Sequence, residues 1–200
     1  MIEIGPLSEM DEISSVILCG GCSRRMGQDK ARLPWNGGEL LDAIAGKLSV
    51  LGEVFLSVDS KSRFSDKPYP IVEDRYPDCG PLGGVCSALL FCGTPLLFAV
   101  SCDMPFVTGE VGRALRDCME PGAGAAVPVE ADGRVHPLCA VYRRDAVPVL
   151  LEQLQSGNFR MRDALKRLRT VYVPAEKLGS RVLCNVNTPE EYREVSRLSC

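Results

Sequence analysis

Residues 15–30 read SVILCGGCSRRMGQDK: an apolar run at 15–19 that halts on Gly20 and Gly21 and passes into a polar, basic segment. A short apolar run closed by paired glycines is the pattern of a buried strand turning into a loop. The segment 18–30 combines two things that a polyphosphate ligand requires. Gly20, Gly21 and Gly27 let backbone N–H groups approach closely, while Arg24, Arg25 and Lys30 supply positive charge. It is not a Walker A loop, because no Gly-Lys-Ser/Thr closes it, and it is not GxGxxG. On its own, such a segment serves equally well as a structural turn.

Downstream, strand patterns alternate with helix patterns. Leu41, Ile44, Ala45, Leu48 and Leu51 recur at helical spacing until Gly52, and residues 54–58 and 71–72 read as buried strands. Residues 82–92 read as a helix, 96–100 (LLFAV) as a strand, 109–119 as a helix and 125–129 as a strand. Asp132-Gly133 predicts a turn into a strand at 138–142, an antiparallel excursion. Helices follow at 146–154 and 161–168, then a short strand at 170–173. Thr188, Pro189 and Glu191 spell the N-cap, first position and capping box of a last helix. This order predicts an α/β fold with a mostly parallel sheet and helices on both faces, its ligand lying at the carboxyl ends of strands.

The 200 residues are expected to form one domain, 1–200, with about residues 1–13 a flexible N-terminal extension. A net charge of −3 argues against a general nucleic-acid or anionic-membrane binder. No apolar run approaches the roughly 20 residues that cross a bilayer, and residues 1–12 are acidic, so a cytoplasmic protein is expected. The ten cysteines lie singly, mostly in apolar stretches, where reduced thiols act as small hydrophobes. Cys19 and Cys22 have CxxC spacing, but no second pair completes a zinc site.

Each informative cluster falls just past a predicted strand: 20–30 after the first, 74–84 after the third and 101–105 after the fourth. They are expected to form one site. Asp103, after LLFAV, suits a rigid carboxylate for a hard cation, or else caps its own loop. Asp74 lines the site or belongs to a solvated cluster, Glu73-Asp74-Arg75. His136 is the single histidine, so no two-histidine metal site exists. The basic run Arg160, Arg162, Lys166, Arg167 and Arg169 is a solvated face or a receiver for an anionic cosubstrate.

The string LCGGCSRRMGQDK resembles the loop of nucleotidyltransferases with a Rossmann-like fold, in particular the molybdenum cofactor guanylyltransferases, with Cys19 where their loop carries alanine. The resemblance continues through Asp74, Gly80-Pro81-Leu82-Gly83-Gly84, Cys102-Asp103-Met104-Pro105, His136-Pro137-Leu138 and Asn185-Val186-Asn187-Thr188-Pro189, nearly the whole chain in order. It implies a Rossmann-like three-layer sandwich forming a single nucleotidyltransferase domain. It also implies transfer of GMP from Mg-GTP to molybdenum-molybdopterin. By the same resemblance Leu18, Cys19, Gly20 and Gly21 contact the nucleotide, Arg25 and Lys30 serve the phosphates, Asp74 lines the pocket and Asp103 holds Mg²⁺. Recipient molybdoenzymes or their chaperones would be the partners. A relative using CTP or another acceptor phosphate, and a non-catalytic nucleotide-binding adaptor, are the competing readings.

Overall fold

The computed structural model describes residues 12–20, 29–179 and 181–197. The first strand, β1 (Ile13–Leu18), is buried along its whole length. It begins two residues before the apolar run, so Ile13 belongs to the strand and not to an extension; residues 1–11 lie outside the described part. Ser14 disguised this start, because a buried serine reads as linker until its partner is known. The Ser14 N–H donates to Thr94 Oγ1 at 3.0 Å, which supplies the bond that makes burial tolerable.

After β1 comes a small hairpin, β2 (Pro34–Trp35) and β3 (Gly38–Glu39), which sequence periodicity did not reveal because each strand has two residues. Its turn, Asn36-Gly37, has positive φ at both positions, 48° and 83°, the conformation of a type I′ turn. Then follow α1 (Leu40–Leu48), β4 (Val54–Val58), β5 (Ile71–Glu73), α2 (Gly80–Phe91) and β6 (Leu96–Ser101). The second half contains α3 (Gly109–Asp117), β7 (Ala125–Val129), β8 (Cys139–Arg143), α4 (Val147–Gln155), α5 (Met161–Arg167), β9 (Thr170–Pro174) and α6 (Pro189–Arg197).

Seven strands form one sheet in the order β5-β4-β1-β6-β8-β7-β9. Only β8 runs against its neighbours, pairing antiparallel with β6 and with β7, so the expected excursion is this one strand. Alternate residues of β1 feed two cores. Ile13 and Ile17 pack with α1, α3 and Val195 of α6, whereas Val16 and Leu18 pack with α2, α4 and α5. The result is the three-layer sandwich.

Connections from β1 lead through α1 to β4 on one side, and β5 returns through α2 to β6 on the other. Chain direction therefore switches beside β1, and a crevice opens at the carboxyl ends of β1 and β6, the place where open α/β sheets bind ligands.

Candidate active site

The parallel ladder continues past the strand ends into the crevice. The Cys19 N–H donates to the Ser57 carbonyl at 2.8 Å and the Cys102 N–H to the Leu18 carbonyl at 3.2 Å. Asp103 is the next residue, so its position is set by the most buried part of the sheet. Its carbonyl accepts from the Val186 N–H at 2.8 Å, which ties the C-terminal segment to the same point.

Opposite stands Lys30, at the start of a short 3₁₀ turn, Lys30–Arg32, capped by Asp29, whose Oδ1 accepts from the Ala31 N–H at 3.1 Å. Lys30 Nζ lies 3.2 Å from Asp103 Oδ2 and donates to Asn187 Oδ1 at 2.7 Å. The Lys30 and Asp103 side chains are only 15% and 14% exposed. Asp103 Oδ1 is buried with no hydrogen-bond partner among the described residues. A buried carboxylate oxygen left in this state is energetically unfavourable unless a ligand completes it.

Asn187 owes its placement to the predicted capping box. Glu191 Oε2 accepts from the N–H groups of Asn187 and Thr188 at 2.6 and 3.1 Å, and Thr188 Oγ1 accepts from the Glu191 N–H at 3.2 Å. Thr188→Ala removes one half of this reciprocal cap and should lower stability by about 1 kcal/mol. Urea denaturation would measure it; an unchanged midpoint would mean that α6 does not depend on its cap.

A cavity of about 620 Å³ opens beside this triad, lined by Leu18, Gly20, Ser57, Asp74, Pro81 and Gly84 among others. Asp74 is thus in the pocket wall, as expected, and it also holds its own loop. Its Oδ1 accepts from the Tyr76 N–H at 2.9 Å and from Ser87 Oγ at 3.0 Å. Gly83 lets α2 come close beneath: a Cβ there would stand 2.6 Å from the Tyr76 carbonyl and 3.1 Å from Asp74 Oδ2. The Gly-Pro-Leu-Gly-Gly segment is therefore a packing requirement of the pocket floor.

A second, larger cavity of about 930 Å³ is lined by Phe106, Arg134, His136, Arg181 and Asn187 among others. Asn187, which accepts from Lys30, lines this larger cavity, while neither Lys30 nor Asp103 lines either one. Ser101 and Leu138 line the smaller one, Phe106 and His136 the larger one, and Asp103 falls between them in the chain. His136 Nε2 lies 2.5 Å from Glu130 Oε1, and Arg134 Nη2 donates to Glu130 Oε2 at 2.8 Å. Hydrogen bonds from Arg134 and His136 hold the Glu130 carboxyl below the usual carboxylate range. The histidine is oriented by a carboxylate at the cavity wall, in keeping with a structural or substrate-contacting role.

Of the residues expected at the site, Leu18, Cys19, Gly20, Lys30, Asp74 and Asp103 gather at these strand ends. Gly21 and Arg25 lie outside the described residues. The basic run at 160–169 does not line the larger cavity, which carries Arg134 and Arg181 beside four glutamates, although Arg160, Arg162 and Lys166 line a separate cavity of about 360 Å³. In that run Arg167 pairs with Glu152 at 2.6 Å and Lys166 with Asp163 at 3.0 Å, as a solvated face does. Sequence reading did not assign Asn187 to the site, although its motif was visible. It gave no sign of Arg63, which donates to both the Cys19 carbonyl and Asp29.

The cysteines behave as packing residues. All eight among the described residues are free thiols; Cys22 and Cys200 lie outside that set. No group of three or more His, Cys, Asp or Glu that could hold a metal occurs among the described residues. A hydrogen bond with Cys102 and burial push the Cys19 thiol well above its ordinary range, so it is poorly reactive. Cys19→Ala should leave nucleotide binding unchanged and reduce stability by about 1 kcal/mol, the scale for one buried methylene-sized group. Loss of nucleotide binding in this variant, measured by calorimetry, would show a role beyond packing. No helix among the described residues is long and apolar enough to cross a membrane.

A lysine facing a buried carboxylate, at the switch point of a mostly parallel sheet, marks the ligand site of a Rossmann-like α/β protein. Comparison with known proteins makes this particular. Residues 15–171 match the MobA-like NTP transferase domain, and the chain belongs to that family. It is similar to a probable molybdenum cofactor guanylyltransferase of Bacillus subtilis, with 32% identity over 183 residues, covering 89% of this chain and 92% of that one. The molybdenum cofactor guanylyltransferase of Syntrophotalea carbinolica is 30% identical over 190 residues, covering 92% and 90%. Among solved structures, molybdopterin-guanine dinucleotide biosynthesis protein A from Archaeoglobus fulgidus superposes with a TM-score of 0.81 at 25% identity, covering 92% and 97%.

Proposed function

We propose that this nucleotidyltransferase moves GMP from Mg-GTP onto the terminal phosphate of molybdenum-bound molybdopterin, forming the guanine dinucleotide and releasing pyrophosphate. The observation that supports the reading is the mostly buried Lys30–Asp103 pair at the strand ends, with Asp103 Oδ1 unpartnered among the described residues. The names of the relatives supply the choice of guanine and of molybdopterin.

The donor lies in the smaller cavity, its base and ribose over Pro81, Gly84 and Asp74 and its phosphates toward Gly20, within reach of Lys30 from outside the cavity wall. The acceptor lies in the larger cavity, whose wall mixes Arg134 and Arg181 with Glu130, Glu176, Glu191 and Glu194, so that Arg181 is the group set to meet its anionic end. An acceptor phosphate oxygen forms the bond to the α-phosphorus as the bond to the bridging α,β-oxygen breaks, and the electron pair leaves with pyrophosphate. No covalent intermediate on the protein is needed, so positioning and charge neutralisation are the chain's contribution. Lys30, drawn from Asp103 toward the phosphates, balances charge on the triphosphate.

Asp103 fits a magnesium ion: it offers one hard anionic oxygen that has no other partner among the described residues. One carboxylate with phosphate oxygens and water is a usual set for this cation, which neutralises the transferring phosphate when bound. The product then passes to molybdoenzymes or their chaperones in the cytoplasm, with no nucleic acid or membrane involved.

Calorimetric titration with the four triphosphates, each with magnesium and with a chelator, tests the donor half of the reading. GTP with magnesium should bind most tightly, and chelation should weaken it. Equal affinities for all four would remove the guanine assignment.

A further inference from the structure

Cys19, at the end of β1, and Asp29, which caps the Lys30 turn, share one partner. Arg63 lies in a short 3₁₀ turn, Lys61–Phe64, in the connection between β4 and β5. Its Nε donates to Asp29 Oδ2 at 2.7 Å and its Nη1 donates to the Cys19 carbonyl. A third contact, Nη1 to Asp59 Oδ1 at 3.3 Å, fixes the guanidinium from the side of the nucleotide cavity, which Asp59 lines. The plane rests over the Phe64 ring at 5.2 Å, and that ring is fully buried, so the side chain is supported from below as well. Burial disfavours its charge, but hydrogen bonds and charge attraction from Asp29 and Asp59 together outweigh this and hold the guanidinium pKa above its ordinary value.

Asp29 does two tasks with its two oxygens. Oδ1 caps the turn that carries Lys30, and Oδ2 receives Arg63. A pull on one oxygen therefore sets the position of the other, and through it the base from which Lys30 reaches Asp103. We infer that Arg63 is a positioning residue that ties the Lys30 turn to the end of β1, holding Lys30 at the distance from Cys19 and Asp103 that a triphosphate requires. The inference rests on the proposed nucleotide site and adds a residue to it. Arginine suits the task because its rigid fork donates in several directions at once, whereas a lysine at the same place has one point charge on a flexible stem.

The test compares wild type, Arg63→Ala, Arg63→Lys, Asp29→Asn and the double variant Arg63→Ala/Asp29→Asn. Calorimetry would measure Mg-GTP and GMP, and amide exchange of the unliganded proteins would follow residues 30–33. Removing hydrogen bonds to a charged group should weaken Mg-GTP about ten-fold in Arg63→Ala. GMP should change less than about two-fold, because it lacks the β- and γ-phosphates that Lys30 would serve. Arg63→Lys should recover only part of the loss. The double variant should be no weaker than Arg63→Ala, since both changes break one connection. Exchange at 30–33 should rise in Arg63→Ala while β6 stays protected.

Equal losses for GTP and GMP would overturn the latch, as would additive losses in the double variant. Unchanged exchange at 30–33 would overturn it whatever the nucleotide result. A wild type that binds no triphosphate would instead overturn the proposed function, while faster exchange in Arg63→Ala would still support the latch as an anchor of the Lys30 turn.

Discussion

Asp103→Asn is expected to keep the fold and lose most of the turnover, by roughly 10²-fold to 10³-fold, the range for removing a principal electrostatic stabiliser. Asparagine has nearly the same shape, and its side-chain oxygen can still accept from Lys30, which donates to Asp103 Oδ2 in the native chain. What it removes is negative charge at a mostly buried point beside Lys30. The unpartnered Oδ1 is the oxygen available to a divalent cation, and an amide is a far weaker ligand for magnesium than a carboxylate. GTP should still bind, because the cavity around Leu18, Asp74 and Gly84 is unaltered, so the loss should fall on turnover more than on affinity. Pyrophosphate release is the readout. A near-native rate in Asp103→Asn would contradict the metal assignment.

Lys30→Ala should weaken every nucleoside triphosphate by a similar factor, about 10-fold to 100-fold, on the scale of a charge-assisted contact to phosphate. Lys30 approaches from the Asp29-capped turn and reaches the Asp103 and Asn187 side chains, so its charge is delivered next to the carboxylate and not to the Asp74–Gly84 wall of the smaller cavity. Lys30→Arg should restore only part, because the larger fork must fit where one compact ammonium now touches two acceptors. The order of GTP over CTP should survive both substitutions. A variant that lost GMP as strongly as GTP, or that reversed that order in calorimetric titration, would place Lys30 near the base or ribose instead. Stability should also fall, since removal of Lys30 leaves the mostly buried Asp103 carboxylate without its cation.

Much of the frame was legible because local signals agreed. LLFAV could only be a central strand, the Asp132-Gly133 turn announced the β7–β8 reversal, and Thr188, Pro189 and Glu191 announced α6 to the residue. Lys30 and Asp103 were legible as site residues because each follows a strong strand pattern within a recognisable string. That they meet was not, since their contact joins residues 73 positions apart and depends on β1 and β6 being neighbours. The insertion of β8 between β6 and β7 was hidden for the same reason: a hairpin signal fixes a pairing but not a strand order. Arg63 gave no signal at all. It lies in a polar connection without periodicity, and its importance comes entirely from what the fold brings beneath it. The larger cavity likewise draws on residues near 106, 130–136 and 175–195, which no local pattern unites.

Identification of the nucleotide product tests the central claim most directly. The purified protein would be incubated with molybdenum-bound molybdopterin and magnesium, separately with GTP, CTP, ATP and UTP, and the products resolved by mass spectrometry. The account predicts the guanine dinucleotide with an equal amount of pyrophosphate from GTP, and little or no product from the other three. A cytosine dinucleotide as the main product, or no dinucleotide from any triphosphate while GTP still binds, would contradict it.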